Sequence, residues 1–172
     1  MKRMRLEDLD DEAMLGRLQR EAAQAREPMA GTPVKVSDYR IIVTGGRNYA
    51  QRGKVYAELE HELALAKAAG QRLVVIEGGG TGADELARDW VRTRGIRGHT
   101  EKARWEDLDV IGAVIKKNRM GRPYNAAAGP MRNAAMLAKY KPHRVVAFPG
   151  GDGTKNMIEL AEREGVEVRR VQ

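Results

Sequence analysis

Leu73-Val-Val-Ile-Glu-Gly-Gly-Gly-Thr-Gly-Ala-Asp-Glu-Leu-Ala-Arg-Asp-Trp-Val91 joins three patterns without a gap. The apolar, β-branched run Leu73–Ile76 reads as a strand. The glycines that follow break it. Ala83, Leu86, Ala87, Trp90 and Val91 then recur at i, i+3, i+4, i+7 and i+8, the spacing of a helix with one apolar face. A strand that passes through a glycine loop into a helix is half of a βαβ unit.

The same unit recurs on either side. Arg40-Ile-Ile-Val-Thr44 predicts a strand, and Val55, Leu59, Leu63 and Ala66 predict a helix that ends by Gly70. Leu108, Ile111 and Ile115 suggest another helix, and Met131, Ala134, Ala135 and Ala138 one more. Val145–Phe148 is a further strand, Thr154–Glu164 a helix closed by Gly165, and Val166–Val168 a last short strand. Alternating strands and helices, with strands apolar throughout, mean a parallel sheet covered on both faces. The expected fold is a Rossmann-like doubly wound α/β domain over residues 38–172. Residues 1–37 then form an appendage: an amphipathic helix from Leu6 to Glu27 and a Pro/Gly linker beginning at Pro28.

Composition narrows the function classes. The chain has 172 residues, 42% apolar and 32% charged, but only 5% aromatic, so Val, Ile, Leu, Ala and Met must fill the core. No apolar run has the ~18–20 residues that span a bilayer. Acidic residues follow the basic start where a signal peptide needs an apolar stretch, so a cytoplasmic protein without a membrane partner is expected. The absence of cysteine excludes disulfides, thiolate metal sites and thiol nucleophiles. His61, His99 and His143 are scattered, so no metal and no cofactor is expected. The net charge is +7, yet residues 1–39 hold seven Lys/Arg against eight Asp/Glu. The remaining 133 residues therefore carry +8, which suits an anionic partner.

Three glycine loops follow strands: Thr44-Gly-Gly-Arg-Asn48, Glu77-Gly-Gly-Gly-Thr-Gly-Ala-Asp84 and Pro149-Gly-Gly-Asp-Gly-Thr154. In a parallel sheet the C-terminal strand ends share one edge, the edge at which such sheets bind ligands. Candidate ligand-binding residues are Thr44, Gly45, Gly46 and Arg47 in the first loop and Gly79, Gly80, Thr81, Gly82 and Asp84 in the second. Pro149, Gly150, Gly151, Gly153 and Thr154 are the candidates in the third, joined by Arg132 and Asn133 at the start of a helix. Glycine lets backbone N–H groups approach a phosphate, and a helix N-terminus favours an anion. Arg47 has the planar fork for phosphate, and Asp84 can accept from ribose hydroxyls or stabilise its helix N-terminus. Thr81 and Thr154 are placed to cap helices or to donate to phosphate. Neither Gly-x4-Gly-Lys-Ser/Thr nor Gly-x-Gly-x-x-Gly follows a strand, which disfavours a standard nucleoside-triphosphatase or dinucleotide dehydrogenase.

These loops resemble the SLOG superfamily, named for the Smf/DprA and LOG proteins, and within it the YspA-like branch. The resemblance rests on Val43-Thr-Gly-Gly-Arg-Asn48, Glu77–Ala87, Ala128-Gly-Pro-Met-Arg-Asn133 with Met136, and Val146–Thr154, in that order. It implies a Rossmann-like fold that binds a nucleotide or nucleotide-derived ligand, such as an ADP-ribose-like molecule, at the glycine-loop edge. LOG enzymes cleave the base from a nucleoside monophosphate and carry Pro-Gly-Gly-x-Gly-Thr-x-x-Glu. Here the glutamate position is Met157, and a thioether cannot serve as the acid, so that mechanism lacks its carboxylate. Asp84 and Asp152 remain as candidate catalytic carboxylates for some other hydrolysis. YspA-like chains commonly have Ala-Asp-Trp where this chain has Ala103-Arg104-Trp105, and the stretch from Trp105 to Gly129 is longer, with Lys116, Lys117, Arg119 and Arg122.

Two further readings stand beside the nucleotide-ligand domain. Single-stranded nucleic-acid binding, as in DprA-like relatives, draws on the basic 116–122 segment but has few aromatics for stacking. An assembly protein would use the N-terminal helix to associate, and a homo-oligomer is expected.

Overall fold

The computed structural model describes residues 36–172. The helix expected over Leu6–Glu27 and its linker lie outside these residues. The elements run β1 (Asp38–Thr44), α1 (Arg52–Ala68), β2 (Arg72–Glu77), α2 (Ala83–Arg94) and β3 (Arg97–Thr100), then β4 (Ile115–Lys117) and β5 (Pro123–Asn125). They close with α3 (Ala128–Tyr140), β6 (Arg144–Ala147), α4 (Asp152–Arg163) and β7 (Glu167–Arg170).

Five strands form one sheet in the order β3-β2-β1-β6-β7, every neighbouring pair parallel. The chain moves outward from β1 to β3, then returns to β6 on the other side of β1. This is the Rossmann-like doubly wound arrangement, with its switch in strand order between β1 and β6.

Strand alternation divides the core in two. Ile41, Val43, Val75 and Val146 face α1 and α2, where they meet Val55, Leu59, Ala87 and Trp90. Ile42, Val74, Ile76 and Val145 face α3 and α4, against Met136, Leu137, Met157 and Ala161. Successive side chains of a strand point to opposite faces, so one apolar run supplies both layers. Two glutamates of α1 are buried as well, and each has a cation. Glu62 accepts from Arg144 at 2.8 Å and from the Tyr39 hydroxyl at 2.9 Å, and Glu58 accepts from Arg169 at 2.8 Å. Burial, reinforced by the bond to Glu62, pushes Tyr39 up to about 12.

The segment after β3 departs from expectation. No helix forms around Leu108, Ile111 and Ile115. The chain turns instead, with Gly112 at φ +86° and Ile111 99% exposed. Apolar residues at helical spacing make a helix only where a surface receives them, and here none does. Ile115 begins a β4–β5 hairpin whose turn is closed by Asn118, its Oδ1 accepting from the N–H groups of Met120 and Arg122. β3 was also not anticipated. Arg-Gly-His-Thr has no apolar side chain; this edge strand is held by backbone pairing to β2 and by the Thr100 hydroxyl donating to Glu77.

The loops leaving β1 and β2 interlock through Gly82, which has φ +70°. A Cβ there would strike the Gly46 carbonyl oxygen and come within 2.6 Å of the Arg47 carbonyl. Gly82→Ala is expected to lose about 2–4 kcal/mol from combined φ strain and overpacking. Gly95→Ala, at φ +63° with nothing within 4 Å, should lose about 1 kcal/mol. Chemical denaturation of both variants checks this, and equal losses would contradict it.

Candidate functional site

A cleft of about 640 Å³ opens at the C-terminal edge of β1, β2 and β6, a volume typical of small-molecule sites. Its floor is backbone. Phe148 donates its N–H to the Thr44 carbonyl at 2.9 Å, carrying the β1–β6 ladder past the strand ends. Gly46 donates to the Pro149 carbonyl at 2.9 Å and accepts from the Ala83 N–H at 3.3 Å, so one residue ties together the loops after β1, β2 and β6.

Of the residues singled out in the sequence, Gly45, Gly46, Arg47, Gly79, Gly80, Thr81, Asp84, Arg132, Asn133, Gly151, Asp152, Gly153 and Thr154 line this cleft. Thr44, Gly82, Pro149 and Gly150 do not. They belong to the loop framework behind it: Thr44 and Pro149 as carbonyl acceptors, Gly82 and Gly150 as points where a side chain would collide with a neighbouring loop.

The threonines take neither of the expected capping positions. Thr81 donates its hydroxyl to the Arg47 carbonyl at 3.1 Å, a second tie between the first two loops. Thr154 is the third residue of α4, and the cap position is Gly151, with no side-chain capping bond. The first-turn N–H groups of α4 therefore meet the cleft without a side-chain partner, the arrangement that attracts an anion.

Three polar side chains shape the walls. Glu77, 2% exposed, accepts from the Gly79 N–H at 2.6 Å, from Arg88 at 3.2 Å and from the Thr100 hydroxyl. It moulds the glycine run, a role that the sequence did not single out. Its signal was a carboxylate at the end of an otherwise apolar strand. Arg132 donates through Nη1 to the carbonyls of Gly78 and Glu101, the latter at 2.9 Å, and through Nε to Asn133 at 3.0 Å. Asn133 donates in turn to the Gly153 carbonyl at 3.1 Å. Both residues thus fasten α3 to the loops, through Nε and Nη1 in the case of Arg132. Burial lowers the proton affinity of Arg132, an effect opposed by the nearby Asp84 and Glu77.

Lys102 and Trp105, from the loop after β3, complete the rim. The Arg47 guanidinium sits over the Trp105 ring, 5.8 Å from its centroid. Met157 does not line the cleft. It is 1% exposed in the core between the sheet and α3. Glu159 lies on the outer side of α4, 3.8 Å from Lys155. No group of His, Asp and Glu among the described residues has metal-site geometry, and no helix among them is long and apolar enough to cross a membrane.

Residues 39–108 match the family model described as the YspA, cpYpsA-related SLOG family. Over that stretch the chain is similar to the YspA-like branch of the SLOG superfamily. That match takes in the first two glycine loops and ends before the β4–β5 hairpin. No curated protein matches the chain. Among solved structures, the X-ray structure of TM1055, a structural-genomics target, is similar at 23% identity and a TM-score of 0.49. The similarity covers 75% of this chain and 71% of that one.

Asp84 is the perturbed carboxyl of the site. Burial lifts its pKa; the Gly80 N–H, 3.0 Å from Oδ2, pulls it back, and the Glu77 charge raises it again. A carboxyl whose folded pKa exceeds its unfolded one loses stability as pH rises between the two. Asp84→Asn removes that loss, so the variant should melt above the parent at pH 7. The gain should vanish as pH falls below the usual aspartate range. Melting curves across pH check this, and an Asp84→Asn difference that does not vary with pH would contradict it.

Proposed function

We propose that this SLOG-like domain binds a nucleotide or nucleotide-derived ligand, an ADP-ribose-like molecule being the type expected, with phosphate on the glycine loops and ribose on Asp84. One observation carries the reading: three backbone loops, the uncapped N-terminus of α4 and the cations Arg47, Lys102 and Arg132 surround a single cleft. Backbone N–H groups and guanidinium forks are what phosphate oxygens require. Asp84, fixed at one oxygen by Gly80, supports the ribose assignment because its other oxygen can accept from a hydroxyl. Calorimetry with adenosine monophosphate should show Arg47→Ala weaker by ~1.5–3 kcal/mol, the scale of a charged hydrogen bond. Equal affinities would remove Arg47 from the phosphate site.

The reading is of a binder rather than a LOG-type hydrolase. Met157 fills apolar core, and a missing acid–base group reduces rate by ~10²–10⁴-fold. Incubation with adenosine monophosphate should release little or no adenine by chromatography. Robust release would make Asp84 or Asp152 the acid, since both carboxylates lie in the cleft.

A second reading has its own observation. Lys116, Lys117, Arg119 and Arg122 are all exposed on the β4–β5 hairpin, a feature that supports contact with single-stranded nucleic acid. Oligonucleotide affinity carried by these side chains would fall steeply with salt, whereas a mononucleotide would show a shallow slope.

A further inference from the structure

The phosphate and ribose assignments leave one wall of the cleft without a role. The chain has two tryptophans. Trp90 is 1% exposed and donates its indole N–H to Glu60 at 3.0 Å. Trp105 is 38% exposed and lines the cleft. Its backbone is anchored, the Trp105 carbonyl accepting from the Asn125 N–H at 2.8 Å. The benzo end of its ring rests on Gly129 at the start of α3, where a Cβ would lie 3.2 Å from Cη2. A Cβ at Gly129 would require the indole to give by a few tenths of an ångström.

The space over this ring is held by a cation of the chain itself. Arg47 lies 5.8 Å from the ring centroid. Stacked planar groups make contact at about 3.5–4.0 Å, so a base between indole and guanidinium needs about 7 Å. A base therefore cannot enter while Arg47 stays. Arg47 also lies in the loop after β1 and lines the cleft with the glycine loops, so a phosphate seated there, as proposed above, would offer it a second partner.

We propose that Trp105 is the base-stacking platform of the cleft, that the ligand accordingly carries an aromatic nucleobase, and that Arg47 moves from the indole to the phosphate as the base arrives. This rests on the nucleotide reading above and adds the base to it. A sugar phosphate would satisfy the loops and Asp84 but leave the indole to Arg47. A nucleotide satisfies all three.

The experiment compares adenosine monophosphate with ribose 5-phosphate by calorimetry on the full chain, using the parent, Trp105→Leu and Trp105→Phe, each checked by thermal melting. Stacking on an aromatic side chain predicts that the parent binds the nucleotide ~5- to 150-fold more tightly than the sugar phosphate. Trp105→Leu should erase most of that preference while moving ribose 5-phosphate little, and Trp105→Phe should restore most of it. Adenosine monophosphate should also change the Trp105 fluorescence where ribose 5-phosphate does not. A parent that binds both ligands alike, or a Trp105→Leu loss of equal size for both, would overturn the platform and leave the phosphate site standing. If neither ligand binds the parent, the nucleotide reading falls and the platform with it.

Discussion

The site depends on how closely three loops approach one another at Gly45 and Gly46. A Cβ on Gly45 would lie 2.5 Å from that of Ala83, and one on Gly46 would lie 3.0 Å from the Pro149 carbonyl oxygen. Because neither exists, the Gly46 N–H and carbonyl can bond to the loops on both sides. The strand ends are held by main chain, and the floor of the cleft is backbone. Arg47, Lys102, Trp105 and Arg132 line the same cleft as the N-terminal residues of α4. A floor of this kind presents backbone N–H groups, the donors that phosphate oxygens require. Buried Glu77 does similar work from below, drawing the Gly79 N–H inward and holding Arg88 beside it.

Much of the fold could be read from the sequence because its core strands are apolar on both faces and its helices are periodic. Leu73–Ile76 and Ala83–Val91 each lie within the expected element. What could not be read is held by other forces. β3 is an edge strand held by backbone pairing to β2 and by polar side-chain contacts such as Thr100 to Glu77, neither of which leaves an apolar pattern in the sequence. The helix expected around Leu108, Ile111 and Ile115 had the right spacing but no surface to bury it, and Ile111 is left in solvent. Local periodicity does not report tertiary partners.

The candidate site shows the same division. Glycine loops announce themselves, and thirteen of the residues expected at the edge line the cleft. Which polar residues face a ligand and which brace the loops depends on geometry. Thr81, Arg132 and Asn133 have bracing bonds that composition cannot reveal. Trp105 lay in a recognised triplet, yet its place on the rim depends on a loop path set by the β4–β5 hairpin through the Asn125–Trp105 bond. Met157 illustrates the converse. Its identity alone disfavoured LOG-type chemistry, and its burial explains how the position serves packing instead.

The central claim, that a nucleotide seats on the glycine-loop edge, is tested most directly by amide chemical-shift mapping of the full chain during titration with adenosine monophosphate. The account predicts saturable shifts at the amides of Gly45–Arg47, Gly79–Thr81 and Gly151–Thr154, together with the Trp105 indole N–H. Shifts confined to Lys116–Arg122, or none at saturating nucleotide, would contradict it.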